Sequence, residues 1–208
     1  MIGDLLEQDT AEVREWVEAT SSAISEYLWC AECKQFESFD AVNGRLIHSA
    51  TAAGFLPLFA GAASKEQARI LFKTLDSVSF CALHQGNCFT VPNYDMTKAD
   101  FDSRNYWRGP VWININWMVS KGLKGYGYTE KADAMNRDMI QLPIQFGFHE
   151  YFDSRTGKGY GSDGFSWTAA LFLDLVYEYY SEDKHGREWF KPHKRDRLKA
   201  IKVLNSLH

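Results

Sequence analysis

The sequence predicts an all-α protein, and three observations carry that prediction. Apolar residues recur at helical spacing over most of the chain, no run alternates like a long strand, and glycines cluster between the periodic stretches. At 208 residues the chain has the length of one domain, or of half a large one, and can bury a substantial core.

The elements follow in order. After Asp9, Thr10 is placed to cap a helix whose apolar stripe is Val13, Trp16, Val17, Ala23, Ile24, Tyr27 and Leu28. Asp40, Asn43 and Gly44 mark a loop. Residues 50–63 are mostly apolar, which predicts a helix buried on most sides. Ser64 caps the next, with Ala68, Ile70, Leu71, Phe72 and Leu75 as its apolar positions. Residues 86–104 are irregular, punctuated by Pro92, Asn93, Asp95 and Asp102. Further helices are expected over 111–121, 130–146 and 167–180, and in the tail from 187 on. Gly122, Gly125 and Gly127, then Gly157, Gly159, Gly161 and Gly164, fall between them. Helices in successive pairs, with long aromatic loops alternating with short ones, are the organisation of an α/α toroid around an axial pocket.

Composition narrows the function. Aromatic residues reach 15%, from 7 Trp, 10 Tyr and 14 Phe, and such rings belong in a core or on the walls of a pocket. A net charge of -4 argues against a nucleic-acid partner. The basic residues of 184–202 are interrupted by acidic ones and are expected to form a solvated helix face. No apolar run approaches the roughly 20 residues that cross a bilayer, so no membrane partner is expected. Residues 1–6 are too short for a signal-peptide core, and a cytoplasmic location is expected. On that basis Cys30, Cys33, Cys81 and Cys88 are expected as reduced thiols. The Cys30-x-x-Cys33 spacing suits zinc or redox chemistry. The second pair has a different spacing and no histidine pattern accompanies the first, so neither metal nor cofactor is expected.

Two segments carry the chemistry. Residues 105–117 set Tyr106, Trp107, Arg108, Trp112, Trp117 and two asparagines around Gly109-Pro110. Pro110 suits the first turn of a helix and Gly109 permits close backbone approach, so Tyr106, Trp107 and Arg108 fall in a loop that can face a pocket, with Trp112 in the helix's first turn. Residues 147–157 place Glu150 after a helix and among aromatic neighbours, where partial desolvation increases the basicity of a carboxylate. His149 and Asp153 read as structural, Asp153 as a turn former ahead of Ser154 and Gly157.

Tyr106-Trp107-Arg108-Gly109-Pro110-Val111-Trp112, followed by Glu150-Tyr151-Phe152-Asp153 and Phe165-Ser166-Trp167-Thr168-Ala169-Ala170, resembles glycoside hydrolase family 63. That family includes mannosylglycerate and glucosylglycerate hydrolases and processing α-glucosidases. The likeness extends through Ala52-Ala53-Gly54-Phe55-Leu56-Pro57-Leu58 and covers roughly residues 10–180. It implies an (α/α)6 barrel and inverting hydrolysis of an α-glycosidic bond. In that reaction one carboxylic acid protonates the leaving oxygen while a carboxylate about 6.5–9.5 Å away activates water. By resemblance Glu150 is the base, Tyr106, Trp107 and Trp112 line the subsite of the cleaved sugar, and Arg108 stands at a motif position.

The chain also departs from the family. The general acid lies in an Asp-Asn-Ser-Pro-Arg-type segment that is not found in these 208 residues. Asp163 and Gly164 stand where glycerate-specific members carry a glutamine. A twelve-helix barrel needs roughly twice this length, at about 30 residues or more per helix pair. Residues 1–208 are thus expected to be one helical segment, the C-terminal part of the barrel, with residues 105–180 as the motif-bearing core. Such a half exposes inner helix faces, so association with the missing half or with itself is expected. Three functions remain open: a hydrolase of a small glucoside or mannoside, a processing-glucosidase-like enzyme for oligosaccharides, and a non-catalytic carbohydrate-binding remnant.

Overall fold

The stripe that begins after Asp9 folds as α1 (Ala11–Tyr27) in the computed structural model, which describes residue 6, residues 8–81 and residues 88–182. The expectations for residues 1–5, for the basic tail and for a helix from 187 on lie outside the described residues. Thr10 occupies the N-cap position of α1 but makes no side-chain cap. Asp9 takes that role, accepting from the Ala11 N–H at 2.9 Å, while the Thr10 hydroxyl accepts from Arg14 Nε at 3.0 Å. No residue of α1 is buried. Ile24 and Leu28 pack against the core, whereas Val13, Trp16 and Val17 are each more than half exposed.

Two hairpins come next, too short to alternate visibly in sequence. The strands β1 (Trp29–Cys30) and β2 (Gln35–Phe36) pair antiparallel, as do β3 (Ser38–Asp40) and β4 (Arg45–Ile47). The expected Asp40–Gly44 loop is the turn of the second hairpin. The Asp40 carboxylate accepts from the Val42 and Asn43 N–H groups, and Gly44 takes a φ of +65° that suits glycine.

The apolar stretch 50–63 is not one helix. Thr51 bridges to Tyr94, a 3-10 turn spans Ala52–Phe55, and α2 is the single turn Leu56–Phe59. Pro57 accounts for the break, because it is tolerated in a first turn and cannot donate in a longer helix. Ser64 does cap α3 (Lys65–Leu75), and Gln67 completes a reciprocal capping box.

The helices α4 (Ile113–Gly125), α5 (Thr129–Phe146) and α6 (Ser166–Glu182) pack against one another, and α4 also packs on α2. Gly122 and Gly125 lie inside α4, not between helices. The first explains the close approach, since a Cβ at Gly122 would stand 2.6 Å from the Phe59 amide nitrogen. Phe55, Leu71, Leu75, Leu123, Met139 and Leu142 form the buried centre. On the outer seam, Glu178 of α6 takes both Lys121 (2.5 Å) and Lys124 (3.1 Å) of α4.

Asn116 of α4 is fully buried and belongs to the core, not to the polar-aromatic pocket suggested by its place in the motif. Its Oδ1 accepts from the Thr90 hydroxyl (2.7 Å) and the Val91 N–H (2.8 Å). Its Nδ2 donates to the carbonyls of Val91 (2.9 Å) and Trp112 (3.0 Å). One side chain thus joins the 88–93 strap to the start of α4.

The cysteines are paired, Cys30 with Cys33 and Cys81 with Cys88, against the expectation of reduced thiols. Among the described residues, no helix is long and apolar enough to cross a membrane.

Candidate active site

The loop before α4 is held mainly by its own backbone. The Asp102 N–H donates to the Arg108 carbonyl at 2.9 Å, and the Arg108 N–H to the Asn105 carbonyl at 2.6 Å. Gly109 permits this closure, because a Cβ there would come within 2.6 Å of the Asp102 carbonyl oxygen. Pro110 and Val111 precede the helix and Trp112 is its N-cap residue, so the first turn starts later than the Gly-Pro pair suggests. Tyr106 sits at a φ of +36°, a conformation that costs a non-glycine residue and is retained here by the surrounding turn.

The second segment follows α5. β5 (Tyr151–Phe152) pairs with β6 (Gly159–Tyr160), and the Glu150 N–H donates to the Ser162 carbonyl at 3.0 Å. Asp153 forms the turn as expected, accepting from the Arg155 and Thr156 N–H groups and from the Ser103 hydroxyl.

One antiparallel bridge joins the two segments. Val111 and Phe152 exchange both backbone hydrogen bonds, at 2.8 and 3.0 Å. The third motif docks on the same place: the Phe165 N–H donates to the Phe148 carbonyl, and the Thr168 hydroxyl to that of His149, each at 2.7 Å. Residues far apart in sequence thereby become neighbours through main chain.

The result is a carboxylate on an aromatic face. Tyr106 donates its phenol to Glu150 Oε1 at 3.1 Å, and the Ser162 N–H donates to Oε2 at 3.2 Å. Trp107 stacks on Trp112 at 4.1 Å and 9°, and Trp112 lies over Tyr151 at 5.3 Å and 24°. Tyr106 stands edge-on to all three rings. Tyr106 and Trp107 are each 44% exposed, whereas Trp112 is 1% exposed and donates its indole N–H to the Tyr106 carbonyl at 2.8 Å. Trp112 is therefore the floor under the face, and Tyr106 and Trp107 are its accessible part.

Arg108 is exposed, and its charge acts on Tyr94. The Tyr94 phenol has a raised pKa, first through burial and then through its bond to Asp100, and the Arg108 charge opposes that rise. Tyr106, Trp107, Trp112 and Glu150 thus come together, with Arg108 beside them.

Glu150 is half-buried, and its two hydrogen bonds leave lone pairs free for a further donor. The Tyr106 phenol has a raised pKa, chiefly because it donates to this carboxylate, so it stays protonated at neutral pH. Among the described residues, the side chain's hydrogen-bond partners are Tyr106 and Ser162, neither of them an acid. Beside this face a cavity of about 850 Å³ is lined in part by Phe101, Arg104, Arg155, Lys158 and Tyr160. Tyr160 stacks on Tyr151 and connects the two.

Ser162 carries no signal in the sequence, while Tyr151 shows there only as a member of its motif and Gly161 only as one of the glycines between helices. Gly161 has a φ of +72°, and a Cβ there would lie 2.5 Å from Glu150 Oε2. Gly161→Ala is expected to displace the carboxylate and lower stability by about 1–2 kcal/mol, the cost of a left-handed backbone for an alanine. Urea unfolding checks the stability loss, and a crystal structure of the variant checks Glu150.

The model of the mannosylglycerate hydrolase MGH1-like glycoside hydrolase domain matches residues 1–168. The mannosylglycerate hydrolase of Rubrobacter radiotolerans is 43% identical over 159 residues, 76% of this chain and 36% of that protein. Its counterpart from Thermus thermophilus is 40% identical over 169 residues, 81% of this chain and 39% of that protein. The crystal structure of a family 63 mannosylglycerate hydrolase from Thermus thermophilus in complex with glucose superposes with a TM-score of 0.73 at 38% identity. The match covers 83% of this chain and 43% of that one. The chain spans well under half the length of these relatives, so the helices seen here are part of a six-hairpin glycosidase domain. By its matched residues and its fold, this chain belongs to the MGH1-like glycoside hydrolases of family 63.

Proposed function

We propose that the chain is part of an inverting α-glycosidase acting on a small mannoside or glucoside such as mannosylglycerate or glucosylglycerate. The reading rests on one observation: Glu150 is a half-buried carboxylate, held by two donors at the edge of an exposed Tyr106–Trp107 face. A flat apolar ring suits the apolar side of a pyranose, and a carboxylate beside it can draw a proton from water aimed at the anomeric carbon. The names of the relatives support glycerate glycosides as the substrate class. Asp163 replaces the glutamine expected at the aglycone side, and its side chain is 84% exposed beside His149. A change in the aglycone is accommodated there more readily than a change in the sugar.

Inversion needs a second carboxyl group on the opposite face of the sugar, about 6.5–9.5 Å from the base. That acid is assigned to a segment other than these residues, and the exposed stripe of α1 fits a chain that packs against more of the barrel.

The test is hydrolysis of mannosylglycerate and glucosylglycerate by the protein, with the anomer of the first-formed sugar read by NMR. The β anomer is the expected product, and the α anomer would overturn inversion. Sugar binding without any hydrolysis, in a protein that also carries the segment with the acid, would overturn the enzyme reading in favour of a binding remnant. Tyr106→Phe, which removes one donor from Glu150, is expected to lower kcat about tenfold with little change in KM, the loss that one aligned hydrogen bond of about 1.4 kcal/mol represents.

A further inference from the structure

Away from this face, the first hairpin carries a feature that the glycosidase reading does not use. Cys30 and Cys33 bracket the turn between β1 and β2, and His48 follows β4 of the neighbouring hairpin. Their donor atoms, two sulfurs and a ring nitrogen, lie within 4.8 Å of one another. His48 Nδ1 is 3.2 Å from Cys33 Sγ and 4.0 Å from Cys30 Sγ. The sequence shows no histidine pattern for this pair because the partner stands beyond a second hairpin, at no ligand-like spacing.

We propose that, with both cysteines as thiolates, Cys30, Cys33 and His48 hold a thiophilic divalent cation of the zinc class, with a fourth position open to solvent. Zinc bonds of about 2.3 Å to sulfur and about 2.0–2.1 Å to nitrogen put the donors of one tetrahedron roughly 3.5–3.8 Å apart. The two nitrogen-to-sulfur separations bracket that range already, while the sulfurs, bonded to each other here, have to part on reduction to reach it. The cysteines meet each other as a disulfide in this structure, so the cation and the disulfide are competing occupants of one turn.

The backbone supports the first sulfur. The Cys33 N–H donates to Cys30 Sγ at 3.1 Å, a contact that a metal-bound sulfur can keep. Lys34 then takes a φ of +59°, which turns the chain back into β2 so that both sulfurs face the same side of the turn as His48. The Lys34 carbonyl accepts from the Thr74 hydroxyl at 3.3 Å, anchoring the turn to α3.

The histidine is positioned independently. Glu37, buried among the hairpins, accepts from the Gln35 side chain at 2.8 Å and from the Ser49 N–H at 3.0 Å. It thereby ties the residue after His48 to the end of β2. A disulfide needs no third group held in this way, whereas a metal site does. Cys30 is buried, Cys33 half-buried and His48 exposed, so a cation has a path in and room for a water as fourth ligand.

The test uses the full chain purified under reducing conditions without chelator. Zinc content is measured per chain, and Co²⁺ is titrated into the metal-free protein. One equivalent of zinc, and a thiolate-to-cobalt charge-transfer band that saturates at one equivalent, are expected. His48→Gln, at an exposed position that leaves the fold intact, is expected to weaken Co²⁺ binding at least tenfold. Cys33→Ser is expected to abolish the band. Cys81→Ser together with Cys88→Ser is expected to leave it unchanged. A reduced protein that takes up no cobalt would overturn the proposal. So would binding unaffected by His48→Gln, or binding lost with the Cys81/Cys88 pair. None of these readouts depends on glycosidase activity.

Discussion

Glu150→Gln is expected to reduce hydrolysis by about 10²–10⁴-fold, the usual contribution of a positioned base, while sugar binding persists. The substitution is nearly isosteric. The amide oxygen can still accept from the Ser162 N–H, and the amide nitrogen can turn to the Tyr106 oxygen, so both contacts of the native side chain have a replacement. What disappears is the ability to take a proton. Initial rates on mannosylglycerate, with binding followed by calorimetry, separate the two properties. Activity at the native level in the variant would remove Glu150 from the mechanism.

The second large effect concerns stability. Asn116→Ala is expected to lower it by roughly 4 kcal/mol, because one truncation strands several buried polar groups at about 1–3 kcal/mol each. The groups left behind are the Val91 N–H and carbonyl and the Thr90 hydroxyl, all in residues with no exposed surface. At about 2–4 °C per kcal/mol for a domain of 150–250 residues, the Tm falls by roughly 8–16 °C. Thr90→Val removes only one of the four bonds and is the comparison, at about 1 kcal/mol. Calorimetric unfolding of the two variants distinguishes a hub from a single contact, since equal losses would mean that Asn116 acts through Thr90 alone.

Local signals in the sequence are legible where the local chain decides the outcome. Ser64 and Gln67 form their capping box, and the long helices at 113–125, 129–146 and 166–182 follow the apolar period within a few residues. The stretch 50–63 misleads because its apolar content is helical in kind, while Pro57 and the Thr51–Tyr94 bridge partition it. Strands of two or three residues are too short for alternation to show. Asn116 shares the motif of the aromatic pocket, yet its position on α4 turns it inward. The Glu150–Tyr106 contact spans 44 residues, and no periodicity in the intervening sequence encodes it. Only the resemblance of the two segments to a known pattern brings them together in the sequence. His48 stands in the same relation to its cysteines, without a pattern to announce it.

The Val111–Phe152 bridge has a consequence for how this protein tolerates change. It is a clasp that sets the distance between the aromatic loop and the carboxylate, while the hairpin of α4 and α5 is a detour between its two halves. Residues inserted at the 126–128 connection would lengthen the detour and leave the clasp shut. A single residue inserted between Val111 and Trp112, or between Glu150 and Phe152, would put the wrong faces of both segments toward each other. Homologues, and engineered variants, are therefore free to vary in the length of their helices but not in the few residues on either side of that one pair of hydrogen bonds.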